Sequence, residues 1–232
     1  MWISSGPSKT AQGMKPLRLV VIGRKLTEDL LFWERLGRSI TATAEAPIVL
    51  LHGPGEMTAR TLEGDGLTLD NVGRDESTDA AILAAFQNEN RRASMVLTDQ
   101  GVPAVGFMGT ARRIISGHPK EPSVRAELIS QTASTGAVPL LGSIAPGPSG
   151  LFLPPLAAIL EAWIRAANTP PDVILLTESA PESSISSEDV MNRTGEVLLP
   201  NMAKMEGVSV RVSGISDVGS MDPEAGVSLP CE

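Results

Sequence analysis

Tyrosine is absent from this chain, and aromatic residues make up only 3% of its 232 residues. Proteins that stack on bases need aromatic platforms, so that mode of nucleic-acid binding is disfavoured. Cysteine occurs once, at Cys231, which rules out an internal disulfide, a disulfide scaffold and a cysteine-rich zinc module. The two histidines, His52 and His118, are too few for a histidine-rich metal site. No apolar run reaches the roughly 18 residues of a membrane span. The opening Met1-Trp-Ile-Ser-Ser-Gly lacks the basic and apolar regions of a signal peptide. Positive charge is in deficit, with 19 Lys+Arg against 27 Asp+Glu and a net charge of −8. A phosphate-backbone footprint wants clustered positive charge, so no nucleic-acid partner is expected. These absences describe a cytoplasmic protein in a reducing compartment that binds neither nucleic acid nor membrane.

What is present is an ordinary globular composition, 42% hydrophobic and 20% charged, sufficient to bury a core without metal or disulfide staples. Residues 1–15 are Ser/Gly/Lys-rich and patternless and read as a tail. Leu17-Arg-Leu-Val-Val-Ile22 and Pro47-Ile-Val-Leu-Leu51 read as buried strands around a helix that starts near Thr27, with Trp33 off its apolar stripe. Residues 63–75 read as a loop or hairpin. Ser77 or Thr78 caps a helix running from Asp79 to about Arg92, with a continuation through 93–99 open. Further strands are expected at 102–107, 138–143, 173–177 and 208–212, with Arg112 to Ile115 as a short partner strand and a turn at 146–150. Helices are expected over 124–135 and 156–167. Strand alternates with helix throughout, which predicts an α/β fold with a mainly parallel sheet.

In open α/β sheets, ligands bind beyond the carboxyl ends of the strands. Gly23 and His52-Gly53-Pro54-Gly55 fall at such ends, where glycine lets backbone N–H groups approach an anion. The same glycines serve equally as plain tight turns. His52 is either a general base or a histidine satisfied inside a turn. Arg74 has the fork geometry that suits a carboxylate, or it pairs with Asp70, Asp75 or Glu76. Lys204 is the main cation of the second half, as a ligand group or as a solvent lysine. Arg112 and Arg113 read as a solvated face.

Taken in order from about Leu17 to Met221, these segments resemble the amino-acid kinase family and, within it, the acetylglutamate kinases. Val20-Val-Ile-Gly23 sits where the family has a strand ending in Lys-x-Gly-Gly. Ile48-Val-Leu-Leu-His-Gly-Pro-Gly55 is similar to its strand followed by His-Gly-Gly-Gly. Asn71-Val-Gly-Arg-Asp-Glu-Ser-Thr78 resembles the substrate loop Asn-Gly-x-Arg-x-Thr. The stretches Gly101 to Gly109, Gly136 to Ile144 and Val173 to Glu178 resemble three further strands. The resemblance implies a three-layer αβα sandwich with a mainly parallel sheet, forming one domain over 16–232. An amino-acid side would cover about 16–135 and a nucleotide side 136–232. It also implies ATP with Mg, an N-acyl amino acid as acceptor, a place in arginine biosynthesis, and a homodimer formed through a central helix and the sheet. Under it, Lys204 and Lys25 are catalytic, while Gly53, Pro54, Gly55 and Arg74 hold the acceptor. Gly23 and Thr177 meet the nucleotide, and no residue set of the protein itself holds a metal.

The departures bear on catalysis. The family's first-strand lysine falls at Val21 and the following glycine at Arg24. The middle glycine of the second turn is Pro54. The segment Asn-x-Asn-Ala-Asp falls on Leu151-Phe-Leu-Pro-Pro155, and Gly-Met-x-x-Lys has only an echo in Asn201-Met-Ala-Lys204. Phosphoryl transfer rests on positioning and charge stabilisation, so these changes weaken a kinase unless Lys25 or Arg24 substitutes. A non-catalytic relative that binds a small carboxylate or a partner is the alternative. A phosphotransferase with another acceptor is a third reading, since fold does not fix substrate.

Overall fold

The runs of Val, Leu and Ile that read as strands do pair side by side. A computed structural model describes residues 16–27, 29–43, 46–179, 186, 189–190, 193, 208–218 and 227–228. The first half contains β1 (Arg18–Ile22), α1 (Arg24–Thr27), α2 (Leu30–Thr43), β2 (Ile48–His52), α3 (Glu56–Gly64), α4 (Glu76–Asp99) and β3 (Ala104–Met108). Then follow β4 (Ile115–His118), β5 (Glu121–Val124), α5 (Ala126–Ser134), β6 (Val138–Gly142), β7 (Ala145–Gly147) and β8 (Gly150–Phe152). The last elements are α6 (Leu156–Ala166), β9 (Asp172–Thr177), β10 (Ser209–Gly214) and β11 (Val227–Ser228).

Seven strands form one sheet in the order β11-β10-β9-β1-β2-β6-β3. Only the β10–β11 pair is antiparallel. Register places Val21 beside Leu51 on one side and Leu175 on the other. Strands buried on both faces read as continuous apolar runs, as β1, β2 and β6 do. Leu19 and Val21 face α5 and α6, in one cluster with Ile129, Leu160 and Trp163. Val20 and Ile22 face α2 and α4, in a second cluster with Phe32, Trp33 and Leu97. This is the expected three-layer αβα sandwich. In the sheet, β6 lies between β2 and β3. At the amino ends of the central strands, Arg18 and Arg211 both pair with Asp172, at 3.3 and 3.0 Å. No helix among the described residues is long and apolar enough to cross a membrane.

Four local expectations are corrected. Residues 63–75 do not form a loop throughout, because α3 runs to Gly64 and a 3₁₀ turn spans Leu69–Asn71. Only Thr58 and Leu62 of α3 are buried, too few to show a helical stripe in the sequence. Trp33 is 1% exposed and belongs to the core, with its indole Nε1 donating to the Thr27 carbonyl at 3.0 Å. Asp75, not Ser77 or Thr78, caps α4, which continues unbroken through 93–99. Arg112 and Arg113 lie in a 3₁₀ turn at φ 50° and 53°, so the strand begins only at Ile115 and pairs antiparallel with β5.

Candidate functional site

Parallel pairing brings the carboxyl ends of six strands to one edge of the sheet. Gly23 follows β1 there, His52 to Gly55 close β2, and Thr177 ends β9. Two distinct features result, on either side of the one-turn helix α1.

The first is a cleft of about 360 Å³ lined by Lys25, Leu26, Phe32, Thr177, Glu178 and Arg193. Thr177 is buried, and its hydroxyl donates within the carbonyl set of Ser179 and Ser213, at 2.9 and 3.2 Å. Asp29 also reaches the cleft. Arg35 contacts both Asp29, at 3.6 Å, and Glu178, at 3.4 Å. Gly53, Pro54, Gly55 and Arg74 are not among the lining residues. The structure therefore brings Lys25 and Thr177 to one cleft, while Gly55 lies against Thr27 at the other end of α1.

The second is the turn after β2. His52 is fully buried and edge-on to Phe86, with ring centroids 5.2 Å apart. Its Nδ1 lies 3.0 Å from the Gly53 carbonyl, and its Nε2 lies 2.9 Å from Asn90 Nδ2. Those partners suit the neutral ring with the proton on Nδ1. Burial disfavours the imidazolium and lowers the pKa to about 4. His52 is thus the satisfied turn histidine, with no nitrogen left over for general-base work.

Beyond His52, the Gly55 amide donates to both oxygens of Glu89, at 3.0 and 3.1 Å. The Thr58 amide donates to the same carboxylate at 3.1 Å, and the Thr58 hydroxyl donates to it as well. Thr27, at the end of α1, adds a further hydroxyl contact. Burial pushes the Glu89 carboxyl pKa up, while these hydrogen bonds pull it back. Gly55 is required by close approach, since a Cβ there would collide with Thr27 Oγ1 and Glu89 Oε1.

Val21, where the resemblance expects a lysine, is 2% exposed inside an apolar cluster with Leu51, Leu175 and Leu160. Leu151 and Leu153 pack with Leu62, Ile82 and Phe86, and Pro154 is buried. The positions of the family's two asparagines, Leu151 and Leu153, are therefore apolar in contact as well as in composition, while Pro155, at the aspartate position, is exposed.

Arg74 is exposed and makes no ion pair among the described residues, so the pairing with Asp70, Asp75 or Glu76 is not formed. Its neighbour Gly73 adopts φ +77°, a left-handed turn favoured by glycine. Asp79 pins this loop, accepting from the Gly73 amide and the Leu151 amide, each at 2.6 Å. Arg74 precedes α4, whose first residue, Glu76, lies about 20 Å along the helix from Glu89. The Gly55 turn is tied to Glu89, at the far end of that span. Lys204 lies outside the described residues.

The residues that sequence reading missed are Glu89, Asp79, Thr58 and Thr27. Glu89 did carry a signal. With Ile82, Phe86, Ala93 and Leu97 it stands on the buried face of α4, a carboxylate within an apolar stripe.

No family model matches this chain. The sequence is 28% identical over 155 residues to an acetylglutamate kinase of Roseiflexus sp. (strain RS-1), covering 60% of this chain and 59% of that protein. It is 26% identical over 164 residues to an acetylglutamate kinase of Koribacter versatilis (strain Ellin345), covering 64% and 62%. The match thus spans about three fifths of the length of these curated relatives. Among solved structures, an isopentenyl phosphate kinase superposes with a TM-score of 0.63 at 16% identity, over 92% of this chain and 100% of that one.

Proposed function

We infer the function of this chain from its likeness in sequence to acetylglutamate kinases and from its amino-acid kinase-like fold. The chain transfers the γ-phosphoryl group of ATP to the side-chain carboxylate of an N-acylglutamate-type acceptor, a step of arginine biosynthesis. A carboxylate oxygen of the acceptor forms the new P–O bond, the bond to the bridging β–γ oxygen breaks, and ADP leaves. The observation that carries this reading is the cleft where Lys25, Thr177 and Arg193 meet at the ends of β1 and β9. Ligands of open α/β sheets collect at that edge.

Lys25 takes the place of the missing first-strand cation, because the Val21 side chain is committed to the core. Arg193 adds charge on the same cleft. The donors fit a nucleotide that brings its own Mg²⁺, since Asp29 and Glu178 supply oxygens and Mg²⁺ is commonly held by one or two carboxylates plus phosphates. Bound there, Mg²⁺ would neutralise phosphate charge. Arg74, exposed on a loop that Asp79 holds in place, serves the acceptor's second carboxylate.

The assay is hydroxamate trapping of acyl phosphate with Mg-ATP and N-acetylglutamate. Removing one electrostatic donor typically costs about 100- to 1000-fold in rate. Lys25→Ala should therefore lower product formation by about 100-fold at least. Product that Lys25→Ala leaves unchanged would remove Lys25 from the reaction. Nucleotide binding without product in the wild type would move the chain to the non-catalytic reading.

A homodimer accompanies this function. Among the described residues no strand pairs with the outer edge of β3, and β3 packs along α4. Val105 on β3 and Met95 on α4 are large exposed hydrophobics, 40% and 61% exposed. An open strand edge flanked by apolar surface supports pairing with a second copy.

A further inference from the structure

The glycine turn after β2, whose backbone N–H groups the sequence offers to an anion, already holds one, and that anion belongs to the protein. Glu89 is 2% exposed and enters the turn from the middle of α4. The donors around it are those an anion pocket offers. The Gly55 and Thr58 amides lie at the start of α3, where the helix presents unsatisfied N–H groups and its positive end. The Thr58 and Thr27 hydroxyls close the remaining sides. One carboxylate thereby ties α1, α3 and α4 to a single point behind β2.

Space and charge both exclude a second anion. The Gly55 position has no room even for a methyl group, because Thr27 Oγ1 and Glu89 Oε1 occupy it. A phosphate entering beside Glu89 would compete for the same amides and meet a like charge. A buried carboxylate is tolerated only when it is fully hydrogen-bonded, so Glu89 cannot release these donors without cost. The neighbouring ring of His52 offers no compensating charge, since its nitrogens are engaged by Gly53 and Asn90.

We propose that Glu89 is a built-in occupant of the anion pocket at the start of α3, and that it shuts this pocket to phosphate. The inference uses only contacts within the chain and stands apart from the kinase assay. On the function proposed above, it has one consequence: the transferred group is met on the Lys25 side of α1 and not at Gly55.

The experiment is a titration of the full-length protein with inorganic phosphate, read on the backbone amide resonances of Gly55 and Thr58. In the wild type both resonances should stay in place throughout. In Glu89→Ala the pocket is emptied, and phosphate should shift both amides, with affinity at least about tenfold above any wild-type response. Glu89→Ser serves as a second variant should the alanine protein fail to fold. It keeps a polar group on α4, removes the carboxylate from the pocket and should raise phosphate affinity in the same direction. Wild-type amides that move as readily as those of the variants would overturn the proposal. So would a folded Glu89→Ala or Glu89→Ser protein whose two amides ignore phosphate. Neither readout depends on ATP turnover, so a silent hydroxamate assay would leave this inference standing, and its failure would leave the kinase reading open.

Discussion

His52 shows how one buried side chain sets a pH response. The unfolded chain takes up a proton at the ordinary value of 6.5, whereas the folded protein resists it down to about 4. Between those values the unfolded state binds more protons, so stability must rise with pH across that window. The gap corresponds to about 3 kcal/mol, fully present above the upper value and lost as pH falls through it. Glu89 acts in the opposite sense. Its folded pKa is raised, so the folded state holds the extra proton and stability declines as pH climbs above 4.5. Urea unfolding measured across the window should show the net slope. His52→Gln should lose the rising component and leave the Glu89 decline exposed. An unchanged profile in that variant would show that His52 is not the source. At this scale a histidine in a Gly-rich turn can be read two ways, and only the Asn90 and Gly53 contacts decide between them.

Helix α4 is the element on which the candidate site depends. It carries Asp79, which pins the Arg74 loop, and about three turns later Glu89 and Asn90, which fix the β2 turn. Its start is held by Asp75, whose carboxylate accepts from the Thr78 amide at 2.8 Å, the Thr78 hydroxyl at 2.8 Å and the Ser77 hydroxyl at 2.7 Å. Those bonds favour the charged form and hold the Asp75 pKa down to about 2. Asp75→Ala should lower the urea midpoint of unfolding, while Asp75→Asn, which can still accept, should lower it less. The cap's contribution is present above the ordinary aspartate value of 3.8 and fades as pH falls toward 2. An alanine variant as stable as the wild type would mean that Ser77 or Thr78 takes over the cap, as the sequence alone suggested.

For the whole molecule, the proposed homodimer is tested at the sheet edge of β3. Sedimentation of the wild type should report a dimer, and Val105→Lys should shift it toward monomer by placing a charge on an edge that pairs. A monomeric wild type would remove the homodimer from this account. That change leaves the core intact, since Val105 is among the exposed hydrophobics and outside the three apolar clusters.

Much of this architecture was legible in the amino-acid order. Continuous runs such as Leu19 to Ile22 and Val49 to Leu51 have no polar alternation, so they can only be strands covered on both faces, and that alone implies helices above and below a parallel sheet. The carboxyl-end turns at Gly23 and Gly55 were legible for the same reason. Helix α3 was not, because two buried residues in nine leave no periodic signal. The site itself needed the tertiary structure. Glu89 is 34 positions from Gly55, and Asp79 is 72 from Leu151, and no local pattern joins residues so far apart. Local sequence determined which segments are strands and helices, because that depends on neighbours along the chain. Tertiary packing decided which charges are free, which are buried and which fill the pocket meant for another anion, because burial and hydrogen bonding depend on what the fold brings alongside.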